Sequence, residues 1–123
     1  MVYLFNTTIC TGTGVWTVRE ITDFKAKKII AEVGEYTSAI GHEATAIAMS
    51  EILGQDVPVN RIQAQLLPGD VAICLKLNGR LPEGQILGLE ELQKIGFTLY
   101  EMVLHPFSIE EMEEAISEHG FVE

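Results

Sequence analysis

Positive charge runs out two-thirds of the way along this chain. After position 82 only Lys94 is basic, against ten carboxylates, whereas residues 1–82 hold eight acids and seven bases. The formal net charge of −10 therefore divides into −1 for the body and −9 for residues 83–123. A duplex-binding protein needs a broad basic face, and no stretch here supplies one. A small phosphorylated ligand, held by one or two arginines and by backbone N–H groups, stays compatible with this balance. Long apolar runs are missing too: none approaches the ~20 residues of a membrane span. Two cysteines, Cys10 and Cys74, are too few and too far apart for a disulfide framework or a zinc-ligand set. An intracellular, cytoplasmic chain with free thiols is the expectation. The first residues, Met1-Val2-Tyr3-Leu4-Phe5-Asn6, have neither the basic n-region nor the small-residue cleavage site of a signal peptide. Repeats and low-complexity tracts are absent.

What is present is a hydrophobic content of 47% in 123 residues, enough for one domain with a real core. Val2–Phe5 is a short strand-type run. Val15–Ile21 is β-branched and aromatic, a second strand. Thr22 or Asp23 offers an N-cap to a helix whose apolar positions Phe24, Ala26, Ile29, Ile30 and Val33 end before Gly34, with Lys25, Lys27 and Lys28 as its solvated face. Tyr36–Ile40 reads as a strand, and Ala44–Leu53 as a helix apolar over most of its circumference, stopped by Gly54. Val59–Leu66 alternates, with Ile62, Ala64 and Leu66 on one face and Arg61, Gln63 and Gln65 on the other, which predicts a strand joined through Pro68-Gly69-Asp70 to a hairpin partner. Val71–Leu75 is continuously apolar and should be a central strand. A short helix over Leu89–Ile95, a last strand over Phe97–Leu104 and an acidic helix opened by the capping box Ser108-Ile109-Glu110-Glu111 complete the chain, with Gly120 as its stop. The division is a domain over 1–104 and an acidic helical extension of it over 105–123.

Two stretches carry chemistry. In Ser38-Ala39-Ile40-Gly41-His42-Glu43-Ala44-Thr45 a glycine and a histidine stand where a helix opens. The first N–H groups of a helix have no internal partner and, with the dipole, form an anion site. A histidine beside them can reach a bound phosphate and exchange a proton near neutral pH; a merely exposed or structural histidine is the bland reading. In Asn78-Gly79-Arg80-Leu81-Pro82-Glu83-Gly84 a tight loop sets an arginine and a carboxylate three residues apart. That is either a surface ion pair worth at most ~1 kcal/mol or an arginine offered to a phosphate. Thr11-Gly12-Thr13-Gly14 lacks the lysine of a P-loop and reads as a plain loop. A zinc site on the His-Glu-x-x-His pattern is ruled out because position 46 is Ala46.

Together with Val2-Tyr3-Leu4-Phe5-Asn6 and Val59-Asn60-Arg61-Ile62, these motifs resemble the viral type III anti-CRISPR ring nucleases and their cellular relatives, in the family's order and over roughly residues 1–104. The resemblance implies an α/β fold, with a mixed central sheet of about five strands flanked by helices, assembled as a two-fold homodimer. It implies metal-independent and cofactor-independent cleavage of cyclic tetra-adenylate, the second messenger of type III CRISPR systems, to linear di-adenylates with 2′,3′-cyclic phosphate ends. The ring would lie across the dimer interface. His42, Arg80 and Glu83 fall on the family's catalytic histidine, arginine and glutamate. Asn6 and Arg61 match ligand-contacting positions, with Thr7, Thr8, Gly41, Thr45, Gln63 and Gly79 beside them in the expected binding set. A serine expected three residues after the asparagine is Ile9 here, which leaves Thr7 or Thr8 to replace it. Binding and sequestering the ring without turnover is the alternative from another class, and a structural virion or interaction protein is a further one.

Overall fold

The computed structural model describes residues 1–79 and 88–119. Its elements run β1 (Val2–Phe5), β2 (Trp16–Ile21), α1 (Asp23–Val33), β3 (Thr37–Ser38), α2 (Glu43–Leu53), β4 (Val71–Leu77), α3 (Leu89–Ile95), β5 (Phe97–Leu104) and α4 (Ile109–His119). The five strands form one mixed sheet in the order β2-β5-β4-β1-β3. β1 pairs in parallel with β3 and with β4, while β5 is antiparallel to both β4 and β2.

The strands' period of two divides the core. Val2 and Leu4 of β1, Ile73 and Leu75 of β4 and Leu99 of β5 face the helices, where Ala26, Ile29 and Ile30 of α1, Ala46, Met49, Ile52 and Leu53 of α2 and Leu92 of α3 are buried against them. Phe5, Ala72, Cys74 and Met102 point to the other face, which no helix among the described residues covers; Leu66 and Ala64 of an irregular segment lie on it instead. β4, apolar and central as its composition requires, is buried from Ala72 to Leu75.

The helix ends follow their local chemistry. Thr22 caps α1, its Oγ1 accepting from Lys25 N at 3.1 Å. Gly34 and Gly54 close α1 and α2 at φ 87° and 66°, in the left-handed region that favours glycine. Ser108 caps α4 by accepting from Glu111 N at 3.0 Å, while Gly120, the expected stop, lies outside the described residues. Thr22→Ala is expected to lower stability by about 1 kcal/mol, read as a shift in the urea midpoint at constant slope.

Two expectations fail here. Val59–Leu66 forms no strand, and the turn at Pro68-Gly69-Asp70 joins no hairpin. Pro58 has no N–H to give a ladder, and its carbonyl accepts from Ser38 Oγ at 2.6 Å. Asn60 then bridges to Ser38 O and Ile40 O through its side chain and backbone. These side-chain bonds replace regular pairing and confine the strand expected over Tyr36–Ile40 to Thr37–Ser38. Leu66, 4% exposed, sits on the sheet while Ile62 is 43% exposed, so the alternation of this segment reports packing on a face rather than pairing at an edge. α2 also keeps an open side, with Ala44 and Glu51 exposed and Ile47 half-buried.

Burial pushes the Cys74 thiol up to about 12 and raises the Tyr36 hydroxyl, with the Asp56 carboxylate adding to the latter. Iodoacetamide at pH 8 is expected to alkylate exposed Cys10 and spare Cys74 until denaturant is added, a result that mass spectrometry counts directly. The unfolded chain gives up both protons sooner than the folded one. Stability from these groups is therefore complete below their ordinary values and falls as pH rises from about 9 towards 12.

Candidate functional site

The carboxyl ends of the parallel strands meet at one edge of the sheet. β1 lies between its two parallel neighbours β3 and β4; the chain leaves it for β2 at the far edge of the sheet and leaves β3 through α2 for β4. Open α/β sheets hold their ligands outside the carboxyl ends of such strands. A cleft of about 360 Å³ lies there, lined by Asn6, Thr7 and Thr8 after β1, Leu75, Lys76 and Leu77 at the end of β4, and Thr45 in the first turn of α2. A recess of about 500 Å³ adjoins it, with Asn6 and Thr7 shared between the two, and includes Ile9, Cys10, Thr11, Ile62, Gln63 and Gln65.

Charge sharpens the picture. No Asp or Glu among the described residues lines either hollow, and Lys76 lines the first, in a chain of net charge −10. Hydroxyls and amides supply the rest of the polarity, a set that suits phosphate oxygens and base edges.

His42 occupies the N-cap position of α2, with φ −115° and ψ 127°. Its carbonyl accepts from Ala46 N at 3.0 Å, but its side chain makes no capping hydrogen bond and is exposed. The imidazole is thus not consumed by the helix, and the opening N–H groups are left for another acceptor. The turn before it is braced from one side: Arg61 Nε donates to Gly41 O at 2.9 Å. A Cβ on residue 41 would meet Arg61 Cγ at 3.1 Å, so glycine lets the arginine stem lie flat over the loop. Arg61 keeps its remaining guanidinium donors, and its side chain is exposed beside the α2 terminus.

The structure accordingly brings Asn6, Thr7, Thr8 and Thr45 into one cleft, Gln63 into the neighbouring recess, and Gly41, His42 and Arg61 around the start of α2. Gly79 is exposed and packs near Ile95, outside both linings. Arg80 and Glu83 lie outside the described residues. Ile9, where the serine was expected, is 51% exposed in the recess, and Thr7 and Thr8 take places in the cleft. Sequence reasoning missed Lys76 and Thr11. Lys76 is the polar residue that ends the apolar run of β4, and Thr11, within a segment read as a plain loop, accepts from Leu66 N at 3.0 Å. Among the described residues no group of three or more His, Cys, Asp or Glu side chains could hold a metal.

A family model described as STIV B116-like matches residues 2–99. The chain belongs to this family. ORF117 of Acidianus two-tailed virus is 41% identical over 105 residues, covering 81% of this chain and 90% of that protein. YddF of Bacillus subtilis is 30% identical, covering 77% and 89%. B116 of Sulfolobus turreted icosahedral virus shares the fold, with a TM-score of 0.72 at 23% identity over 83% of this chain and 97% of that one. Relatives of this chain thus come from viruses and from a bacterium, and the family match stops before α4. No helix among the described residues is long and apolar enough to cross a membrane.

Proposed function

We propose that this STIV B116-like protein is a ring nuclease that opens cyclic tetra-adenylate to linear di-adenylates, switching off the effectors that the ring activates. The observation carrying the reading is the cleft at the carboxyl ends of β1 and β4, lined by no acid among the described residues, where Asn6, Thr7, Thr8 and Thr45 converge. His42 stands three residues before Thr45 at the opening of α2, free of any capping bond to that helix. The ring lies across the two-fold axis of a homodimer, so the site occurs twice and each copy makes one of the two cuts in a symmetric ligand.

The ribose 2′-oxygen attacks its own 3′-phosphorus, giving up its proton to water. The P–O5′ bond breaks and a 2′,3′-cyclic phosphate forms. His42 protonates the departing 5′-oxygen as general acid. The N–H groups that open α2, together with Arg80, stabilise charge on the phosphoryl oxygens, and Glu83 holds the imidazole. Arg61 fixes the Gly41-His42 turn through its bond to Gly41 O, and the cleft's hydroxyls and amides hold the 2′-oxygen in line. No metal takes part.

Incubating the protein in EDTA with labelled cyclic tetra-adenylate in large excess tests this. Conversion of many equivalents per site is the expected result. Stoichiometric binding without turnover would instead establish a sequestering protein.

A further inference from the structure

α4 stands apart from the chemistry and from both cores. No residue over 109–117 is fully buried, and none belongs to either core cluster. Its helical spacing nonetheless puts Ile109, Met112, Ala115 and Ile116 on one stripe, with Glu111 and Glu113 on either side. Phe107, 40% exposed, joins Glu111, Met112, Ala115 and Ile116 in lining an open recess of about 420 Å³. An apolar seam edged by carboxylates is what one face of a helix pair looks like, with the basic half missing.

The basic half is on the same chain. α1 turns Ala26, Ile29 and Ile30 inward and leaves Phe24, Lys27, Lys28 and Ala31 exposed. At 3.6 residues per turn Phe24 and Ala31 form the centre of a stripe, with Lys27 on one side and Lys28 on the other. Phe24 is 74% exposed, the largest exposure among the large apolar side chains of the described residues. Among the described residues the only ion pair on this stripe is Lys28–Glu32 at 4.0 Å between well-exposed side chains, too weak to hold Lys28 back. Within one chain the two stripes are apart. α4 is rooted next to the Trp16 end of β2, where Trp16 pairs with Leu104 and His105 contacts Thr17, whereas Phe24 follows the opposite end at Ile21. Pairing of α4 with another α4 would set carboxylates against carboxylates, while α4 on α1 matches apolar centre to apolar centre and acid to base.

We infer that α4 of one copy docks along α1 of a second copy, Phe24 entering the recess beside Phe107 and Lys27 and Lys28 meeting Glu111 and Glu113. The contact is independent of the nuclease reading, and its acidic half lies outside the stretch that matches the family. It gives this chain a self-association of its own.

The test measures mass by sedimentation velocity across protein concentrations. It uses the full chain, the reversals Lys27→Glu/Lys28→Glu and Glu111→Lys/Glu113→Lys, and all four changes combined. These positions are exposed, and circular dichroism checks that each variant is folded. The wild type is expected to show an association step that weakens with salt. Each reversal should weaken that step by about tenfold or more, and the combined variant should recover it. A step unaffected by either reversal, a combined variant that stays weak, or no concentration-dependent step at all would each overturn the inference.

Discussion

His42→Ala is expected to slow cleavage of cyclic tetra-adenylate by about 10²–10⁴-fold, the usual contribution of a positioned general acid. Ring affinity should be nearly unchanged. The leaving 5′-oxygen of a ribose is a poor leaving group without a proton, and in the cleavage proposed above His42 supplies it. The fold should not suffer: the side chain is exposed and makes no cap hydrogen bond with α2, so stability should stay within about 0.5 kcal/mol. Single-turnover rates set beside calorimetric affinities separate the two effects. A wild-type rate in the variant would remove His42 from the chemistry. A loss of affinity matching the loss of rate would make it a binding residue.

Ile73→Ala is expected to be the most damaging of the simple core truncations, at about 2–5 kcal/mol. The side chain is fully buried on the central strand, opposite Leu4 of β1 and in the layer that receives α1, α2 and α3. All of its surroundings are committed to other packing, so the void cannot readily collapse. For a domain of this size the corresponding fall in melting temperature is about 8–20 °C. Val18→Ala provides the contrast: that residue is 49% exposed on β2, at the edge of the sheet, and should change stability by about 0.5 kcal/mol or less. Equal losses in the two variants would mean that the layer under β4 is not the tightly packed one.

The core strands and helix ends were legible because one residue or a short run decides each locally. The apolar run Val71–Leu75 could only be a strand with both faces covered, and Thr22, Gly34, Gly54 and Ser108 announce the helix termini that they form. The Val59–Leu66 segment misled because alternation records which side chains meet an apolar surface, not whether the backbone is paired. What decides the pairing there is Pro58 without its N–H and the side chains of Ser38 and Asn60 bonding the neighbouring backbone, contacts across about twenty residues that no window shows. In the site, Gly41 and His42 were visible as a helix opening. The brace from Arg61 was not, because its reach to Gly41 O is set by the tertiary path of the irregular segment. Lys76 went unnoticed because a polar residue closing a strand has no signature until the topology puts that strand end beside β1.

The position of β1 also has a consequence in time. It precedes the other strands of its sheet in the chain, yet its partners come far later: Tyr3 pairs with Thr37, 34 positions on, and with Ala72, 69 positions on. β4 in turn waits for β5. Until those residues exist, Val2-Tyr3-Leu4-Phe5 has no neighbour and no local turn to shelter it. The nascent chain therefore carries an orphan apolar tetrapeptide until β3 is made and a half-paired one until β4 follows, and the sheet closes late.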